Sequence, residues 1–187
     1  MRSSIATLLA CTPLLAAAQS MIESSFTGQA LSNTKNGVTV GCGIRVVGLP
    51  ETPASSFMMI DVSLNIYDSG MGLAKVTASE APSGLRSIND LRPLQIHNAW
   101  FKVDGLQPAA PTRPLVAGET PESKLFTVSG KLAIETLMGM AFEEPLKIAI
   151  STVKGLETIS FGTVKLSAQQ REQFVRCTSE LSDRLTK

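Results

Sequence analysis

Histidine is almost missing from this chain. His97 is the only one in 187 residues, so a His-rich zinc site cannot be built, and a Ser-His-Asp or Cys-His mechanism would have to use that residue. An excess of positive charge is also lacking. Lys and Arg number 17 against 16 Asp and Glu, and no basic cluster occurs, which disfavours nucleic-acid binding because phosphate neutralisation needs a basic surface. No apolar run reaches the roughly 20 residues that a bilayer-spanning helix needs. Gly-x-Ser-x-Gly, His-Glu-x-x-His, Walker-type, dinucleotide-type and calcium-loop patterns are all absent, as are Asn-x-Ser/Thr sequons and internal repeats. Nothing in the sequence calls for a cofactor or a metal.

What is present at the start is a leader. Residues 1–18 carry one positive charge, Arg2, an apolar run from Ile5 to Ala17, and Ala16-Ala17-Ala18 before Gln19, the layout of a secretory signal with a small-residue cleavage site. Removing those 18 residues from 187 leaves 169, with 16 basic and 16 acidic side chains once Arg2 is gone. The expected organisation is a signal peptide over 1–18 and one globular α+β domain over 19–187. The expected location is the periplasm or the secreted fluid, and the missing sequons with the short alanine-rich leader lean towards a bacterial envelope. An alternative lies inside the leader: Leu8-Leu9-Ala10-Cys11 resembles a lipobox, which would make a lipoprotein anchored through Cys11.

Cysteine is scarce, three in all, and the two outside the leader sit on patterned segments. Ser167 followed by Gln170 has the form of a capping box and predicts a helix start; beyond it Phe174, Cys177, Leu181 and Leu185 share one helical stripe. Val38, Val40, Cys42, Ile44 and Val46 alternate with Thr39, Gly41, Gly43 and Arg45 as in a half-buried strand. Both cysteines therefore face inward, and in an exported protein the simplest outcome is a Cys42–Cys177 disulfide closing a loop of about 135 residues, for about 5 kcal/mol on the chain-entropy model.

The remaining chain reads as strands joined by turns. A short strand is expected around Phe26 to Leu31, a turn at Asn36-Gly37, and a clear alternating strand from Met58 to Tyr67 that pairs with Leu73 to Ala78 across Asp68–Gly72. Pro93 to Val103 slips phase, which a β-bulge near His97-Asn98 would reconcile; a similar slip is expected at Gly162, in the return strand of a hairpin turning at Lys154-Gly155. Pro108, Pro111, Pro114 and Pro121 exclude a regular central strand or helix between Asp104 and Ser123. Ser129 should cap a helix over 131–142 with Ala133, Ile134, Leu137, Met138 and Ala141 inward. The expected fold is α+β, with a mainly antiparallel sheet of about seven or eight strands and two helices in the C-terminal half.

No catalytic set emerges. Glu143-Glu144 precede a proline and should end a helix in solvent, while Asp61, Asp68, Asp104 and Glu157 show no pairing spacing. Met58-Met59 and Met138-Gly139-Met140 could offer soft sulfur, but Met58 and Met138 fall on core stripes. The candidate recognition residues are His97 and Trp100 at the bulge and Tyr67 on the wet face of its strand, since bulges re-aim side chains and Trp favours interfaces. The functional expectation leans away from an enzyme. It is an envelope-associated binding or assembly module contacting a protein or other envelope macromolecule. The alternatives are a small hydrolase using carboxylates or His97, and a carrier of an apolar ligand; the oligomeric state is left open.

Overall fold

Asn36-Gly37 reverses the chain between two long strands, β1 (Gln19–Lys35) and β2 (Val38–Pro50). Both turn residues adopt positive φ, 53° and 74°, the pair that a tight type I′ hairpin turn requires. β3 (Ser56–Tyr67) and β4 (Met71–Pro82) extend the antiparallel meander. The computed structural model describes residues 19–52, 56–82, 84, 87–120, 122–153, 155 and 157–185, so the expected leader and Cys11 lie outside the described residues. Pairing brings Ala30, Ile44, Leu64 and Ala74 into one row, all buried on the inner face. Sliding a strand by one residue would turn its part of that row into solvent, and this fixes the register.

The second half supplies β5 (Arg92–Pro93), β6 (Ile96–Val103), β7 (Val116–Ala117), β8 (Lys124–Ser129), helix α1 (Gly130–Ala141), β9 (Pro145–Thr152), β10 (Glu157–Lys165) and helix α2 (Ala168–Leu185). The fold is α+β and its sheet mostly antiparallel, in the order β6-β9-β10-β1-β2-β3-β4-β8-β7, with β5 on β4. Among the described residues there are ten strands, more than the seven or eight expected; β5 and β7 are two residues each, too short to show any period. β1 against β10 is the parallel pair.

The sheet closes on itself. β5 pairs with the end of β4, the Leu94 N–H donates to the Ala78 carbonyl at 2.9 Å, and the Val153 N–H donates to the Gln95 carbonyl at 3.1 Å, just before β6 joins β9. Arg92 to Ile96 thus carries hydrogen bonding from β4 across to β9, making a barrel. Farther along, β8 takes over the same edge of β4, and Phe126 of β8 meets Phe101 of β6 with ring centroids 5.6 Å apart.

α1 closes one end of this barrel. Ser129 caps it, accepting the Leu132 N–H, as expected. Glu143 takes a left-handed φ of 62° just past its end, and the Glu144 N–H reaches back to the Gly139 carbonyl at 3.0 Å, a Schellman-type stop. Close approach of α1 to β4 depends on Gly72, where a methyl would lie 2.5 Å from the Ala133 Cβ. The buried side of the helix is Ala133, Thr136, Leu137, Met140 and Ala141. Met138, expected inside, is 36% exposed, and Met140 is buried instead; polar Thr136 on the core side hid the true phase. The Thr136 hydroxyl is buried and finds no hydrogen-bond partner among the described residues. Thr136→Val should therefore raise stability by about 1 kcal/mol, read as a higher urea midpoint; a lower midpoint would mean that the hydroxyl is satisfied.

Two further expectations are corrected. β1 runs 17 residues, far beyond Phe26 to Leu31, because inward Ser24, Gly28 and Ala30 give no hydrophobic alternation. No register slip occurs at Gly162: pairing of β10 with β9 is continuous there, and its register against β1 is the same on both sides of a gap at Gly162 and Thr163, with Ser160, Gly162 and Val164 on one face. The bulge at His97-Asn98 is present, between Ile96 and Asn98.

α2 lies on β1 and β2 beside α1, and Cys42 is joined to Cys177 with Cα atoms 5.8 Å apart. A disulfide of this kind fits an oxidising compartment. Ser167 caps the helix through the Gln170 N–H at 3.2 Å, but the Gln170 side chain turns away from the reciprocal capping bond and accepts the Ala30 N–H at 2.5 Å, where β1 has run past its partner β10. Thr39 donates to Glu180 at 2.9 Å and Arg184 reaches the Thr39 carbonyl, fastening the far end. Among the described residues no helix is long and apolar enough to cross a membrane.

Candidate functional site

Among the described residues, the end of the barrel opposite the helices is open. There the starts of β1, β3 and β10, the ends of β4 and β9, and the β5–β6 connection surround a cavity of about 680 Å³. Its wall includes residues on the inward parity near the strand ends, Ile22, Met58, Glu80, Thr152 and Thr158, with Leu94 from the β5–β6 connection. Two residues deeper on the same strands stand Ser24, Ile60, Ala78, Ile96, Ile150 and Ser160, every one buried. The cavity is thus the unfilled top layer of a barrel whose lower layers are packed. Phe57, Pro93 and Val153 add apolar rim, and Ser56 and Gln95 add uncharged polar groups.

Glu80 is the one ionisable residue lining this cavity among the described residues. It continues the inward parity of Gly72, Ala74, Val76 and Ala78 on β4, opposite Met58 in the register. A carboxylate on a core-facing phase is the signal by which sequence reading could have found the site. The wall of Ile22, Leu94 and Thr158 had no such signal, because it is assembled by strand pairing across long separations.

The residues expected to mark a recognition surface are placed in different regions. His97 is exposed on the bulge and lines a groove of about 540 Å³ with Pro111, Arg113, Pro114 and Lys124. The Pro-rich segment therefore packs beside the bulge, and Ala109 bridges to Phe101. Trp100 is partly buried on the outer face of β6, paired with Ala149. Tyr67 lies at the helical end of the barrel, against Gly41, and faces a cavity of about 340 Å³ between α1 and α2.

The carboxylates named as candidate acids are also dispersed. Asp61 makes a bidentate pair with Arg45 on the outer face, at 2.8 and 2.5 Å, and this hydrogen bonding and charge push the guanidinium above its ordinary pKa. Glu143 pairs with Arg171, and the Ser151 hydroxyl donates to Glu157 at 3.4 Å. Asp104, Glu135 and Glu144 do share a shallow groove beside α1, where Asp104 is paired to Lys147 at 3.3 Å and Glu135 to Lys131 at 3.9 Å. Among the described residues no group of three His, Cys, Asp or Glu is arranged to hold a metal ion. No family model, curated protein or solved structure matches this chain, so the barrel mouth is read from its own geometry and chemistry.

Proposed function

We propose that the protein is a non-enzymatic binding protein of the periplasm or the secreted fluid, which holds a small apolar or amphipathic ligand in the barrel mouth. The observation that carries this reading is the cavity itself: about 680 Å³, within the roughly 300–1,000 Å³ of ordinary ligand pockets, apolar with a few polar groups, and at a barrel mouth where such pockets recur. Among the described residues it opens to solvent on one side, which gives a ligand a way in. The leader pattern and the disulfide support the location. The sequence puts a macromolecular partner first, a small hydrolase using carboxylates or His97 second and an apolar-ligand carrier third; the cavity supports the third of these readings.

Titration with the neutral dye N-phenylnaphthylamine is the test. Saturable binding with a fluorescence rise is expected, and Met58→Gln together with Leu94→Gln should weaken it about tenfold or more, as apolar contact is lost from two walls. Absence of saturable binding, or affinity untouched by the double change, sinks the reading. The groove that joins His97 to the Pro-rich segment favours a second reading, contact with an envelope macromolecule. A partner that co-purifies with a protein showing no dye binding would move that reading to the front.

A further inference from the structure

We infer that the barrel mouth selects by charge, accepting amphiphiles with a cationic or uncharged head and rejecting those with an anionic head. This selection rests on the mouth being a ligand site. Glu80 faces the cavity on the inward parity of β4, and among the described residues its carboxylate makes no ion pair or side-chain hydrogen bond. Its polar companions in the wall, Ser56, Gln95, Thr152 and Thr158, carry no charge. The neighbouring cation, Arg92, stands across from Glu80 in the β4–β5 register, but it is exposed, forms no ion pair with Glu80 and does not line the cavity.

A ligand whose apolar body fills the space between Ile22, Met58 and Leu94 must leave its head at the rim, level with Glu80. Apolar walls lower the local dielectric, so charges there interact more strongly than in open water. An ammonium head gains the Glu80 carboxylate as a partner, whereas a carboxylate head meets a like charge at close range, and among the described residues no cation lines the wall to offset it. An alcohol head is indifferent to the charge and can hydrogen-bond to the threonine hydroxyls.

The experiment compares dodecylamine, dodecanol and dodecanoate, each below its micelle concentration at neutral pH, as competitors of the neutral dye. Dodecylamine should bind about three- to tenfold more tightly than dodecanoate, the range for a partly exposed ion pair, with dodecanol between them. Glu80→Gln should remove the difference between dodecylamine and dodecanoate. Dodecanoate binding as tightly as dodecylamine, or a preference that survives Glu80→Gln, overturns the charge selection while the ligand site stands. If dodecanol too fails to compete, the mouth is no apolar site and both readings fall. The wild-type comparison decides on its own should Glu80→Gln not fold.

Discussion

Cys42→Ala is expected to lower the stability of the folded chain by about 2–5 kcal/mol, and Cys177→Ala by the same amount, because each removes the same cross-link. The bond closes a sequence separation of 135 residues, so it restricts most of the unfolded chain as well as anchoring the last helix. α2 packs chiefly on β1 and β2, one side of the barrel. Without the bond it retains the burial of Phe174 and Leu181 and a set of exposed polar contacts at Thr39, Asp68 and Arg184, and exposed ion pairs contribute little. Against a net stability of about 5–15 kcal/mol for an ordinary domain, the loss is a large fraction. Urea unfolding with and without reductant is the measurement. The wild type should fall to the level of the variants when reduced, and the variants should not respond. A variant within about 0.5 kcal/mol of the wild type would mean that the cross-link constrains nothing that packing does not already hold. Since the barrel mouth lies at the other end, dye binding by whatever fraction remains folded should keep the wild-type affinity.

That disulfide was legible because both cysteines stand in phase with large neighbours: Cys42 with Ile44 and Val46, Cys177 with Phe174 and Leu181. β3 was legible for the same reason, its Ile60, Val62, Leu64 and Ile66 all pointing one way and all buried. The bulge showed itself as a conflict of parity between Ile96 and Phe101 that only an extra residue could resolve. Legibility fails where the interior is lined by small or polar groups. Ser24, Ser160, Gly162 and Thr136 sit inside the barrel or against its core, and each breaks the periodic signal of its own strand or helix. The same loss shifted the phase of α1 from Met140 to Met138 and invented a slip in β10. Closure was out of reach for a different reason. It depends on Arg92 to Ile96 bonding to Ala78 on one side and Val153 on the other, pairings between segments far apart in sequence that no local pattern encodes. The mouth exists only because of that closure, so its wall could not be listed from residues alone, even though Glu80 on an inward phase hinted at it.

Leu137→Ala should cost more than Leu181→Ala, although both leucines are buried and both lie on helices. Truncating a buried leucine costs about 2–5 kcal/mol, the spread reflecting how far the surroundings can settle into the space left behind. Leu137 belongs to α1, which packs against β3, β4, β6, β8 and β9, and is held at its start by the Ser129 cap and at its end by the bond from Glu144 to Gly139. β3, β4 and β8 are hydrogen-bonded in one run and β6 to β9 in another, so each strand is held by a neighbour, and the void at Leu137 should persist. The expected loss there is about 4–5 kcal/mol. Leu181 lies near the end of α2, which has barrel on one side and solvent on the other, and this helix can settle by a small shift beyond Cys177. The expected loss there is about 2–3 kcal/mol. Urea midpoints with unchanged m values are the comparison to make, since a changed m would signal a different unfolded or native state. Equal losses, or a larger one at Leu181, would mean that the strands around α1 give way as readily as a surface helix, and that the barrel is not the rigid wall on which a preformed mouth depends.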